Sequence, residues 1–461
     1  MKRIAVDIVS QIIGKVLSSF IGLLAITQIC RYLTVEDFGG YTLAFSFLAF
    51  FHPAVDMGLN TIASREIAKD PAKVHSLLSG VIFLKVILAT LAILLIFGLV
   101  NLLGYPLHNQ HLILVASFSL FNTVLSTLEV VLIVRHRLIW LGLAQIFSST
   151  AFLLTVYGVI ALGRGASALI AAQILSVSLS YFIILPTIKG YFRLNKKIAW
   201  QIVFVTFKQA LPLGVASVVA ACYFNIDIII LSKMMNESAV AFYGSATRVL
   251  GLMLFIPHAI MMSLFPVLTR SKKQGDNDFS RVYKHIFHTL MLIGIPLAIW
   301  GSFFARPIIE LIYTHTYHPA ISVLKLLVWA GVGIFASQLM YHTLVVVNKQ
   351  KTVLLISCFS LISNLCLNFL LIPIYGINGA AMATVISEFA VAGIGIGLLV
   401  YHERLFPFSR ELYGVFIISM TTYLLALSMQ ETNLIVASFI FLSLLSIYMI
   451  YFFRLLAVSG G

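Results

Sequence analysis

Long apolar runs alternate with short polar connections from one end of this chain to the other. About fourteen runs approach or exceed 20 residues, the length that carries an α-helix through the hydrocarbon core of a bilayer. The pattern predicts spans at 8–33, 38–59, 77–103, 110–134, 139–163 and 165–186, then 210–234, 239–268, 285–305, 320–347, 352–374 and 377–401, and finally 412–429 and 433–453. Between the sixth and seventh lie a basic segment, Lys189 to Lys197, and a stretch holding Trp200, Phe204, Phe207 and Lys208. That stretch reads either as an interfacial helix or as a plain loop with a short helix start.

Composition agrees with the pattern. The 461 residues are 61% hydrophobic and 10% charged, whereas soluble chains carry about a quarter charged residues. The expected fold class is all-α: a polytopic membrane protein with about fourteen transmembrane helices and no soluble catalytic domain. A net charge of +14 would suggest nucleic acid on a soluble protein. Here the basic residues sit in the connections, where they act as topology signals.

With the N-terminus placed inside, the inside segments hold Lys2, Arg3, Arg65, Lys69, Lys73, Arg135, Arg137, Lys189, Arg193, Lys196, Lys197, Lys208, Arg270, Lys272, Lys273, Arg281, Lys284, Lys349, Lys351, Arg404, Arg410 and Arg454. The outside margins hold only Arg31, Arg164, Lys233 and Arg306. A missed or invented span would invert the alternation beyond it. The bias therefore predicts an even number of spans with both termini cytoplasmic. Met1-Lys2-Arg3 has signal-peptide charge, but no A-x-A-like site follows and the apolar run is long, so a retained first span is expected. Cys30, Cys222, Cys358 and Cys366 lack CxxC spacing and read as small buried hydrophobes rather than a metal site.

The chain also resembles itself at an offset slightly above 200 residues. Leu33 to Tyr41 joins spans one and two as Met235 to Tyr243 joins seven and eight, and Pro53 corresponds to Pro257. Arg135-His136-Arg137 matches Lys349-Gln350-Lys351, and the segment opening at Gly165 matches the one opening at Gly379. Equivalent spans are an even number apart, which predicts two parallel, pseudo-symmetric six-helix lobes with a substrate path between them. The predicted divisions are an N-terminal lobe over 1–188, a basic linker over 189–209, a C-terminal lobe over 210–403 and two additional spans over 404–461.

Particular segments are more specific. Arg31-Tyr-Leu-Thr-Val-Glu-Asp-Phe-Gly39, Val55-Asp-Met-Gly-Leu59 and Arg65-Glu66 resemble the opening of the polysaccharide-biosynthesis (Wzx-type) oligosaccharide flippases. Asn225-Ile-Asp227, Ala241 to Arg248 and Tyr375 to Ala381 resemble that family's second-lobe opening and its turn into span twelve. The family belongs to the multidrug/oligosaccharidyl-lipid/polysaccharide exporter superfamily. The resemblance implies a V-shaped two-lobe transporter, not an enzyme. It would flip undecaprenyl-pyrophosphate-linked oligosaccharide repeat units from the cytoplasmic to the outer leaflet of a bacterial inner membrane by alternating access. The implied partners are the lipid-linked oligosaccharide, membrane lipids and other polysaccharide-assembly membrane proteins. A small-molecule cation extruder of the same fold, a lipid II-type flippase and a membrane glycosyltransferase are the rival readings.

An ionisable group inside a span is costly unless paired or wetted, so each one is a functional candidate. Lys85 and Glu129 lie at matching depths and suggest an intramembrane pair. Asp227 with Arg248, and more loosely Lys15 with Asp56, suggest two others. Lys15 and Arg248, on opening spans of opposite lobes that the family uses to line its cavity, are expected to contact a pyrophosphate headgroup, with Arg31 and Asp227 beside them. Glu388, in mid-span with no basic neighbour at its depth, and Asp56 are the expected sites of coupling to a proton or sodium gradient. No cofactor is expected. Each of these charges also has a plain structural reading, in which it holds helices together or snorkels to the headgroups.

Overall fold

A computed structural model describes residues 2–191, 200–407, 412–429, 436–438, 440–443 and 446. The described chain is all-α. It runs through α1 (Lys2–Tyr32), α2 (Val35–Asp56), α3 (Leu59–Lys69), α4 (Val74–Leu102), α5 (Leu107–Ser117), α6 (Leu120–Leu125), α7 (Glu129–Val134), α8 (Ile139–Ala161) and α9 (Ala166–Ile188). After the basic segment come α10 (Trp200–Met234), α11 (Glu237–Gln274), α12 (Asp276–Phe303), α13 (Ala305–Ile312), α14 (Pro319–Val346), α15 (Gln350–Tyr375), α16 (Ile377–Glu403) and α17 (Leu412–Ser428).

Among the described residues, 12 stretches are long and apolar enough to cross a membrane, and Tyr413–Ser428 forms a shorter apolar helix. The protein is a polytopic membrane protein, and the first twelve predicted spans correspond to those stretches. The predicted span 433–453 lies largely outside the described residues. The stretch from Trp200 is neither a loop nor a separate interfacial helix: it forms the first turns of α10. Cysteine burial also differs from expectation, since Cys30 is buried but Cys366 is exposed.

The chain packs as two compact units, Met1–Ala241 and Phe242–Gly461. The division falls later than the sequence expectation because α10 packs along α2, α3 and α4 of the first unit. Small residues permit such approaches: a Cβ at Gly214 of α10 would stand 2.6 Å from the Met57 Cα. In the same way α1 lies along α8, where a Cβ on Gly14 would come within 2.6 Å of the Gly142 Cα. In the second unit α14 is central, flanked by α12 and α16, and α17 packs on α12. Trp300 of α12 stacks on Phe441, 5.7 Å between ring centroids.

The repeat is visible in local geometry. Thr34 caps α2 by accepting from the Asp37 N–H at 3.1 Å, and Asn236 caps the start of α11 by accepting from the Ala239 N–H at 2.9 Å. α7 closes with the Arg137 N–H donating to the Leu132 carbonyl at 2.9 Å, with His136 left-handed; α14 closes with the Lys349 N–H donating to Leu344 at 2.8 Å, with Asn348 left-handed. Both are the six-to-one bond of a Schellman-type helix end. Gly165 caps α9 as Gly376 caps α16, which shifts the equivalence from Gly379 to Gly376.

Candidate functional site

The described chain departs most from regular helix in span two. Pro53 removes one backbone donor near the end of α2. Met57 and Gly58 then turn left-handed, with φ of 45° and 75°. The Asp56 carboxylate accepts from the Gly58 N–H at 3.1 Å, an Asp-stabilised turn from which α3 restarts at Leu59. From α10, Leu213 and Gly214 press on the break: a Cβ on Gly58 would lie 2.9 Å from that of Leu213.

Span four is also interrupted. α6 passes into a 3₁₀ turn at Ser126–Leu128 before α7. Such tightening frees backbone carbonyls for other donors, and the Thr123 carbonyl accepts from the Ser126 hydroxyl at 2.8 Å.

Lys85 of α4 enters between these two breaks. Its side chain is fully buried, at 0% exposure. The ammonium donates to Asp56 Oδ1 at 2.6 Å, Asn60 Oδ1 at 2.7 Å and the Thr123 carbonyl at 3.3 Å. Three acceptors match its three N–H bonds, so a charge that water cannot reach is fully satisfied.

The network extends from there. Asn60 donates to the Ser126 hydroxyl at 3.0 Å. One ring nitrogen of His52 lies 2.8 Å from the Thr123 hydroxyl, and the other lies 3.2 Å from that of Ser119. Tyr181 of α9 donates to Glu129 Oε1 at 2.9 Å, and Ser178 donates to Asn122 Oδ1 at 2.7 Å.

The predicted pairings are therefore rearranged. The ion partner of Lys85 is Asp56, while Glu129 is held by Tyr181 and stays within electrostatic reach of Lys85. Depth along a span brought the right elements together but could not choose between two carboxylates. Lys15 is exposed on α1, and the Asp56 carboxylate is taken by Lys85 and the Gly58 N–H. Arg31 is exposed at the end of α1, Asp227 is buried in α10 and Arg248 is partly buried in α11. Glu388 is buried in α16, where Gly333 of α14 leaves room for it: a Cβ at Gly333 would stand 2.8 Å from the Glu388 Cβ.

His52, Asn60, Ser126 and Tyr181 were not predicted. A histidine just before Pro53 in an apolar run satisfies the rule that selected the charged residues, and it was the available signal.

A possible metal-ligand set lies apart from this network. Ligand atoms of Glu310, His315 and His318 fall within 4.8 Å of one another. Glu310 stands apart in sequence from His315 and His318, so spacing alone does not reveal the set. Glu310 Oε1 already accepts from Arg306 Nε at 2.8 Å and lies 2.9 Å from His318 Nε2. The Arg306 bond, backed by His318, holds the Glu310 carboxyl below the usual carboxylate range.

Comparison with known proteins adds the family context. Residues 4–272 match the model described as polysaccharide biosynthesis protein, and residues 212–370 match the MatE model. A Shigella flexneri protein named as an O-antigen transporter is 25% identical over 234 residues, covering 48% of this chain and 52% of that protein. A Haloferax volcanii glycan-biosynthesis flippase, Agl15, is 28% identical over 38% of each chain. These matches span about half or less of the relatives' own length. The capsular polysaccharide biosynthesis protein CapF of Staphylococcus aureus is 21% identical over 86% of this chain and 98% of its own. In fold, the chain is similar to an inward-closed lipid II flippase, MurJ, with TM-score 0.78 and 18% identity over 96% of this chain and 99% of the other. It is also similar to an inward-facing MATE-family multidrug transporter, with TM-score 0.71 and 16% identity over 84% and 94%.

Proposed function

The chain belongs to the polysaccharide biosynthesis protein family, and from that premise we propose that it is a flippase that carries a lipid-linked oligosaccharide across the membrane. The substrate in this reading is an undecaprenyl-pyrophosphate-linked repeat unit, moved from the cytoplasmic to the outer leaflet of a bacterial inner membrane. Both termini are cytoplasmic. The transporter and flippase names of relatives from Shigella flexneri and Haloferax volcanii, and the capsular polysaccharide biosynthesis name of one from Staphylococcus aureus, support this choice of substrate class.

One structural observation carries the mechanism: the fully buried Lys85 ammonium pairs with the partly buried Asp56 on a left-handed break in a spanning helix. A buried ion pair contributes little net stability, because desolvation offsets most of the attraction. Its better-attested use is to specify one arrangement over another. In this reading α3 moves relative to α2 about Met57 and Gly58 during alternating access, and the pair defines one of the two positions. Glu388, with Asp56, couples transport to a proton or sodium gradient. The pyrophosphate contacts proposed for each unit are Lys15, Arg31 and Asp227 in the first and Arg248 in the second; arginine offers a bidentate fork suited to phosphate oxygens.

Deletion of the gene tests the substrate. Lipid-linked repeat units should accumulate on the cytoplasmic leaflet, and the wild-type gene should clear them. Unchanged leaflet distribution in the deletion strain would refute the flippase reading. Arg248→Ala tests the headgroup contact: export should stop while protein level holds, and normal flux would remove Arg248 from the site.

A further inference from the structure

A cavity of about 320 Å³ opens where α3 meets α7 in the first unit, within the range of ligand pockets, about 300–1,000 Å³. Ile67, Ala68, Pro71, Val74, Val131 and Val134 make an apolar wall, and Arg135, His136 and Tyr191 close one side. The left-handed His136 lets the helix end fold back, so Arg135 and Arg137 flank a tight turn. Both guanidinium groups lie over the ring of Tyr191, at 4.3 Å and 5.5 Å from its centroid. A ring face holds a guanidinium plane while leaving its N–H edges free to donate.

Among the described residues, neither arginine pairs with a carboxylate. The nearby acids are engaged elsewhere, Glu66 by Arg65 and Lys69, and Asp70 by Lys73. The Arg135 fork therefore lines the pocket beside its apolar wall, and the Arg137 fork lies on the same Tyr191 ring at the pocket's edge. That combination matches a phosphate diester carrying hydrocarbon chains. We propose that the pocket binds the phosphate headgroup of an anionic membrane lipid, with Arg135 and Arg137 on the phosphate and the chains along Ile67, Val74 and Val131.

The test uses the full-length protein purified in detergent, with bound lipid counted by native mass spectrometry. Phosphatidylglycerol, phosphatidylethanolamine and inorganic pyrophosphate are added separately. Wild type should retain phosphatidylglycerol over phosphatidylethanolamine, and R135Q/R137Q should weaken that retention by about tenfold, the loss expected for one or two charge-assisted hydrogen bonds. Tyr191→Leu, which keeps an apolar side chain but removes the ring face, should weaken it less. R281Q/K284Q removes the same charge near the start of α12, where Arg281 pairs with Asp278, and should leave it unchanged. Equal retention by R135Q/R137Q and wild type overturns the proposal, as does equal loss in R281Q/K284Q. Pyrophosphate that binds alone and displaces phosphatidylglycerol makes this a free-phosphate site and overturns the lipid assignment. Elution of each variant at the wild-type volume in size exclusion shows that the fold is intact.

Discussion

Span two and its counterpart in the second unit begin alike and end differently. Both start at a polar cap, Thr34 for α2 and Asn236 for α11, and both carry a proline further along, Pro53 and Pro257. α11 then runs unbroken from Glu237 to Gln274, through Met261 and Met262. The first unit has Met57 and Gly58 at the corresponding place and breaks there. Proline alone therefore does not break the helix. The break needs an aspartate that can accept from the next turn, a glycine free to adopt positive φ, and a helix pressed on its back by Gly214. Only the broken version is tied to a fully buried lysine, and at a similar depth in α12 the second unit has the buried His288.

The comparison breaks most visibly if the buried pair is cut on one side. Asp56→Ala leaves the Lys85 ammonium desolvated with one carboxylate fewer, which costs about 3–5 kcal/mol for a buried ion pair. Lys85→Met alone should cost less, because the Asp56 carboxylate left behind is 27% exposed and keeps its bond from the Gly58 N–H. The double variant D56A/K85M should recover much of the loss, because no unpaired charge remains. Thermal unfolding of the two singles and the double, read as a cycle, measures this. Additive losses would mean that the pair is not coupled.

Next in size is Gly214→Ala, whose methyl would overlap the Met57 backbone. Overpacking of this kind costs about 1–3 kcal/mol. Because the clash falls on the break, transport should drop more than protein level does. Met262→Gly in the unbroken counterpart should cost about 0.5–1 kcal/mol, the ordinary penalty of glycine in a helix, and leave transport near normal. Equal transport defects in the two variants would show that the break has no special role.

These features were unevenly legible in the sequence. Apolar run length and loop charge located twelve spans, because bilayer thickness imposes a length that tertiary packing does not change. Buried charges could be picked out by cost alone, so Lys85, Asp56 and Glu129 were recognisable as candidates. Partner choice was not legible. It depends on the rotation of each helix and on the break itself, and depth along a span encodes neither. The boundary of the first unit was missed for a related reason. A repeat reports which helices are equivalent, whereas Gly214 and Met57 decide where α10 packs. His52 is legible by the same cost rule, whereas the neutral Tyr181 carries no charge cost and shows its role only through its bond to Glu129.

Glu388 sharpens the comparison from the other side, because it is a buried carboxyl of the unbroken unit. If the first unit supplies the hinge and the second the titrating group, Glu388→Gln should keep stability within about 1 kcal/mol, as a near-isosteric exchange should. Transport in vesicles should then lose its response to an imposed pH gradient. Asp56→Asn should instead lower transport at every gradient. Full gradient dependence in E388Q would remove the coupling role.

The smallest effect comes from a carboxylate and base outside the spans. Arg306 and Glu310 are joined at 2.8 Å, as close as many buried pairs, but the Arg306 side chain is 67% exposed. The Glu310 carboxyl titrates below the usual carboxylate range, chiefly through its hydrogen bond from Arg306. A depressed native pKa means that the stabilisation is present above the ordinary glutamate value and is lost as pH falls through the lowered one. Wild type and Glu310→Gln should therefore differ slightly in melting temperature at neutral pH and converge in acid. Raised salt should also shrink that difference, since an exposed pair is screened. The Asp56–Lys85 cycle should respond less to the same salt, because water and counterions do not reach Lys85 and only 27% of the Asp56 side chain is exposed. A salt response as large for the buried pair as for the exposed one would show that Lys85 is wetted, and that its three acceptors are not what keeps its charge in the membrane.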